Sequence, residues 1–238
     1  RDCLLSRGLG DVYKRQDITA DNSTTYMSFF SQMDTYGDGY AGIGVWRAAF
    51  KPLVDRIADT DIRLQWFCCD RSTGVTDASG NRITLIRDTQ SPVAVEYQAV
   101  KFIGTGRDNI KAGVFSGWEL GDYIYLRSEE AYMIKMEALA HKGSAEAVTE
   151  LNSFMKTRQP DYNYTFTNKA DLIEEIIYQK RVEFWGEGLE YIDNRRLNIP
   201  VDRTDETWGA ENNNHFSAGK FRYNQEDRPF LYQLPLSE

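Results

Sequence analysis

Three observations in the sequence predict a mostly α-helical fold with tetratricopeptide-like helix pairing, irregular loops and a few short strands. From residue 123 onward, apolar residues recur at helical spacing in three successive segments. The first two segments are separated only by Lys142, Gly143 and Ser144, a junction short enough to force an antiparallel helix pair. Across 238 residues, 41% hydrophobic and 27% charged content describes a globular chain able to bury a sizeable core.

Residues 1–16, RDCLLSRGLGDVYKRQ, resemble translated adapter sequence of the kind that contaminates reading frames from shotgun assemblies, and are expected to be non-native. No basic stretch there leads into an apolar core, so they are not read as a signal peptide. Residues 17–238 are then expected to be the C-terminal part of a domain truncated at both ends. Residues 17–31 are polar and weakly patterned, and residues 37–44 form a Gly-rich turn. Trp46, Phe50, Leu53, Val54 and Ile57 place a helix over residues 45–58. A short strand is predicted at 64–69, a Ser/Thr/Gly/Asp loop at 71–81 and an alternating edge strand at 82–87. The helix predicted over 123–141 ends at Lys142 and Gly143, a basic residue and then a C-cap glycine. Ser144 caps the next helix, over 145–157, with Pro160 beyond its end. Thr167 or Asn168 caps a third helix over 171–186. The last forty residues, with Pro200, Pro229 and Pro235, read as irregular. A single helix pair cannot bury its own face, so further helices upstream are expected to complete the stack.

Composition excludes several function classes. A net charge of −8 argues against nucleic acid and against anionic membrane surfaces. Two histidines and three cysteines leave little material for a His/Cys metal site or a Cys–His nucleophile, and the adjacent Cys68 and Cys69 bridge only with strain. Gly37, Gly39 and Gly42 match the dinucleotide-binding G-x-G-x-x-G spacing, but FFSQMDTY before them is too polar for a buried parallel strand. Asp34 and Asp38 open like a calcium loop that then fails, with Tyr36 and Val45 at ligand positions. No metal, cofactor or catalytic residue is expected.

Charges on the core stripes carry the most information. Over 171–186, Leu172, Ile173, Ile176, Ile177 and Phe184 share a face with Lys180, Glu183 and Glu187. Over 123–141 the predicted stripe is Ile124, Ala131, Ile134 and Ala138, with Arg127 in its middle. An isolated buried charge costs several kcal/mol, so these groups must pair. Glu183 and Glu187 lie one helical turn apart, and Arg127, with Lys180 or one of Arg195 and Arg196, is expected to neutralise them. Read functionally, Glu183 and Glu187 would instead be the two carboxylates of a glycoside hydrolase. A structural ion-pair network is the preferred reading.

These same residues carry a family resemblance. RSEEAYMIKMEA at 127–138 resembles the helix written R-x-A-E-x-Y-L-x-x-A-E-A in the SusD/RagB family, matching at Arg127, Glu130, Tyr132, Glu137 and Ala138. QKRVEFWGEGLEYIDNRR at 179–196 resembles E-R-R-x-E-L-x-x-E-G-x-R-x-x-D-x-x-R, matching at Arg181, Glu183, Glu187, Gly188, Asp193 and Arg196. Leu151 and Asn152 sit where the family has its next helix motif, and Asp61 with Arg63 fits its D-x-R. Gln179, Lys180 and Glu190 depart from the pattern, and the arginines usual after Asn152 are blurred into Met155-Lys156-Thr157-Arg158. The resemblance implies a lipid-anchored protein of the bacterial outer-membrane surface. Such a protein captures glycans or other nutrients, without catalysis, for a SusC-like TonB-dependent transporter. Its signal peptide and lipidated Cys would lie upstream.

Glycans are held by aromatic faces, with amides and carboxylates on the hydroxyls. Tyr36, Tyr40 and Trp46 flank the Gly-rich turn, and Trp208 with Asn213 sits in a polar loop; these are the candidate oligosaccharide or polysaccharide contacts. The alternative to capture is a helical-repeat adaptor that binds only protein.

Overall fold

A computed structural model describes residues 14–18, 29–33, 48–68, 97–99, 101–102, 121–215 and 217–227. The expected turn at 37–44, the loop at 71–81, the strand at 82–87 and the candidates Tyr36, Tyr40 and Trp46 lie outside them. In chain order the elements are β1 (Lys14–Ile18), α1 (Phe29–Met33), α2 (Lys51–Asp55), a 3-10 turn (Ile62–Trp66), β2 (Phe67–Cys68), β3 (Gln98–Ala99) and β4 (Gly121–Leu126). They continue with α3 (Ser128–His141), α4 (Glu146–Met155), α5 (Lys169–Glu183), α6 (Leu189–Arg196), β5 (Val201–Asp202), α7 (Asp205–Trp208) and β6 (Arg222–Tyr223). The fold is mostly α, and among the described residues three antiparallel two-stranded pairings form, β1 with β4, β2 with β3 and β5 with β6. Gln16 faces Tyr123 and Ile18 faces Gly121, so Lys14, Arg15 and Gln16 of the adapter-like segment form the start of β1.

The junction between α3 and α4 follows from Gly143. Its φ is 72°, and the amides of Gly143 and Ser144 donate to the carbonyls of Ala140 and Leu139, the double bond of a Schellman turn. Ser144 Oγ then accepts from the Glu146 amide in the first turn of α4. Asn168 caps α5, its side chain accepting the Asp171 amide, while the Thr167 hydroxyl bonds the Asp171 carboxylate.

Two predicted helices need correction. The segment expected to be helical from residue 123 is strand through Leu126, and α3 begins only at Ser128. Its core face is Met133, Met136, Glu137 and Ala140, whereas Ala131 and Ala138 are exposed and Ile134 is 54% exposed. The predicted stripe was phased on Ile124, which belongs to β4, and passed over two methionines that fill irregular core space. Within the described part of the helix expected over 45–58, residues 48–58, only α2 is helical, opened by Phe50 in extended conformation with Pro52 in its first turn. The strand expected at 64–69 is the end of a 3-10 turn followed by two strand residues.

α5 joins two hydrophobic clusters. Leu172 and Ile176 pack with Met133, Met136, Leu151, Met155 and Phe184 of α3, α4 and the α5 end. Tyr178 and Val182 pack with Val54, Ile57, Leu64, Phe67 and Ala99. Burial on both sides explains why residues 176–180 are buried without a break, a pattern no single stripe describes. Just beyond α5, Gly186 (φ 78°) passes so close to Phe102 that a Cβ would lie 2.6 Å from its ring.

Candidate functional site

Around the end of α5 the expected buried charges collect into two networks. Glu183 is 1% exposed, and its carboxylate accepts from three guanidiniums: Arg127 at 3.1 Å, Arg158 through both Nε and Nη2, and Arg63 at 3.5 Å. Arg127 is the residue before α3 in extended conformation, which frees its side chain to reach Glu187 through Nε and Nη2, at 3.0 and 2.8 Å. Lys101 Nζ bonds Glu187 at 2.6 Å and the carbonyls of Glu183 and Trp185, closing the α5 C-terminus. Arg63 is held by Asp61 at 2.7 Å.

Lys180 and Arg196 serve a different carboxylate from the one expected. Glu137 of α3 accepts Arg196 at 2.6 and 2.7 Å and Lys180 at 3.2 Å. Asp193 of α6 binds the same two cations, so this second network ties α3, α5 and α6 together. Arg195 bonds the Gln225 carbonyl instead. Arg63, Arg158 and Lys101 were missed as partners because none of them lies on a predicted core stripe. The D-x-R spacing of Asp61 and Arg63, and the arginines usual after Asn152, were the hints to two of them.

Geometry removes the hydrolase reading for Glu183 and Glu187. One guanidinium, that of Arg127, fills the space between the two carboxylates and binds both. A general acid needs a raised pKa. Burial alone would raise that of Glu183, but Arg158, Arg127 and Arg63 outweigh it and hold it at about 2. Burial, partly offset by Glu187, lowers Lys101 to about 8.

Trp208, the last residue of α7, and Asn213, in the loop after it, have different roles. Asp202 organises this segment by accepting the Thr204 amide and hydroxyl, the Thr207 hydroxyl and Arg222. The Trp208 indole N–H donates to the Asp202 carbonyl at 3.0 Å, fixing the ring while 38% of the residue stays exposed. Phe50 stands edge-on to it at 5.1 Å, and His215 stacks on Phe50 at 5.0 Å. The His215 pKa is lowered by burial and by Arg203 and Lys220, which favours a neutral ring. Asn213, by contrast, is buried. Its amide donates to the Arg203 carbonyl and Asp205, and its oxygen accepts the His215 amide. It shapes the loop, with its side-chain amide and oxygen both turned to protein partners. Asn214 next to it accepts the Lys51 amide and donates to the Ala49 carbonyl. It thereby caps α2, whose own N-cap residue Phe50 offers no side-chain acceptor. Sequence reasoning missed Phe50 as a site residue because it read as part of a helical stripe.

Among the described residues no group of three or more His, Cys, Asp or Glu is placed to hold a metal ion. No helix among them is long and apolar enough to cross a membrane.

Comparison with known proteins gives the family. The sequence profile of the SusD family matches residues 97–238. No curated protein matches the chain by sequence. Among solved structures, a SusD-like carbohydrate binding protein from Bacteroides vulgatus ATCC 8482 is similar, with a TM-score of 0.54 and 24% identity. The match covers 79% of this chain and 34% of that one, so the chain spans about a third of that protein's length. With the matched span holding the α3, α5 and α6 residues that build both charge networks, the chain belongs to the SusD family.

Proposed function

We propose that this chain is the C-terminal part of a surface glycan-capture protein. It binds oligosaccharide or polysaccharide without cleaving it and delivers it to a SusC-like TonB-dependent transporter of the outer membrane, where a lipid anchor holds the full-length protein. The observation that carries the reading is membership of the SusD family over residues 97–238. The similar Bacteroides vulgatus protein, described as carbohydrate binding, supports the ligand class. On this chain the contact surface is the half-exposed Trp208 face beside Phe50 and His215. A sugar ring stacks its C–H face on such an indole, and the ring is already fixed through Asp202, so little freedom is lost on binding. Tyr36, Tyr40 and Trp46 are proposed to extend the surface.

The test is a panel of soluble polysaccharides titrated by calorimetry. Trp208→Ala is expected to weaken binding about tenfold, or ~1.4 kcal/mol, with the chain still folded and its melting temperature lowered only by the loss of the indole hydrogen bond and the Phe50 contact. Equal affinity in the variant removes Trp208 from the site. Release of shortened products from bound glycan overturns the non-catalytic reading.

A further inference from the structure

A cavity of about 370 Å³ opens between the C-terminal end of α2, the chain following α4 and one face of α5. It borders the Glu183 network at Asp61 and Gln179 and shares no lining residue with the Trp208 surface. Its volume falls in the range of small-ligand sites. At about 30 Å³ per water it has room for about a dozen waters, comparable to a single hexose ring.

Three features of the wall define what fits. Its lining includes Tyr162, Tyr164 and Tyr178 of α5, with Ile57 and Ala58 beside them and the Arg56 guanidinium stacked on the Tyr178 ring at 3.9 Å. Its polar centre is Glu175, which shares a helix face with Tyr178 and Gln179 through i, i+3, i+4 spacing. The Glu175 carboxylate accepts Tyr162 Oη at 2.8 Å, Gln179 Nε2 at 2.7 Å and Arg56 at 2.6 Å. A carboxylate has about four acceptor positions, so one remains. Gln179 is in turn fixed by Arg63, and Asn152 clamps both the amide and the carbonyl of Tyr164, so the wall is rigid before any ligand arrives. Finally, every lining charge is already matched, Arg56 by Glu175 and Asp61 by Arg63. Such a wall offers nothing to an ionic ligand.

We propose that this cavity is a second carbohydrate site, distinct from the Trp208 surface, that takes one neutral hexose ring: the end unit of a chain or a free monosaccharide. A recessed cleft with walls on several sides touches more of a ring's edge than the open indole face, which accepts any stretch of chain. The site goes beyond the capture reading and does not require Trp208.

The experiment is saturation-transfer NMR and calorimetry on the 238-residue chain with glucose, galactose and mannose, against glucuronate and glucosamine as charged controls. At least one neutral hexose is expected to bind, and the charged sugars to bind less well. Ala58→Trp, which fills the cavity from its α2 side, is expected to abolish the signal with the melting temperature retained. Asn163→Ala, at an exposed lining position, is expected to weaken it at least about threefold, and this second variant decides the matter if Ala58→Trp fails to fold. Trp208→Ala is expected to leave hexose binding intact. Three results overturn the cavity site: no hexose binding, binding that survives both cavity variants, or binding lost in Trp208→Ala. The last would move the hexose to the open surface and leave the capture reading standing. Loss of polysaccharide binding across the whole panel, with hexose binding retained, would do the reverse.

Discussion

Glu183 shows how much of a site a single residue's neighbours decide. Its place on a core stripe was legible in the sequence, and so was the need for a cation. Arg127 was named from its spacing, and it reaches both Glu183 and Glu187. Arg63 and Arg158 were not named, since spacing along one helix says nothing about residues delivered by a 3-10 turn and by the chain after α4. Removing the carboxylate leaves three guanidiniums facing one another, so Glu183→Gln is expected to destabilise by about 3–5 kcal/mol, read from urea unfolding at pH 7. The same residue sets an acid limit. Its folded pKa of about 2 lies below the model-compound 4.5, so its stabilisation is complete above pH 4.5 and lost as pH falls towards 2. The urea midpoint of the wild type is expected to drop over that window, and that of Glu183→Gln to drop less. Equal slopes would mean that Glu183 is not the titrating group.

Element boundaries were harder to read than element types. The pair α3 and α4 was legible because Gly143 and Ser144 carry turn and cap chemistry that acts within a few residues. The start of α3 was not, since the apolar residues of β4 continue into helical spacing and only pairing with β1 marks them as strand. α5 was legible in length and cap but not in its second buried side, because Tyr178 and Val182 meet Phe67 and Ala99 from distant segments. Two glycines separate local from tertiary constraint. Gly143 and Gly186 both have positive φ, but a Cβ at 143 meets open space while one at 186 strikes Phe102. Gly143→Ala is expected to cost about 1 kcal/mol and Gly186→Ala distinctly more, by thermal unfolding. Equal losses would show that the Phe102 contact yields freely.

At the scale of the whole molecule, the described chain is two hydrophobic clusters sharing α5, with both charge networks anchored on that helix or just beyond it. The helical class and the two longer family motifs were readable because both rest on residues clustered within 127–196. The Phe50, Trp208 and His215 surface was readable only in part, because it joins residues more than 150 positions apart. No local pattern encodes such a meeting.

That meeting also bears on the order in which the protein assembles. Asn214 closes a loop of 163 residues when it caps α2. Closing so long a loop is entropically unfavourable and is rewarded only after the intervening helices have packed. The clasp therefore belongs to the descending side of the folding barrier. Asn214→Ala is expected to cost about 1 kcal/mol, the size of a lost helix cap, and stopped-flow measurement is expected to place nearly all of that loss in faster unfolding. If refolding slowed instead, the start of α2 and Asn214 would have to meet early, and the helices between them would fold inside a loop already closed.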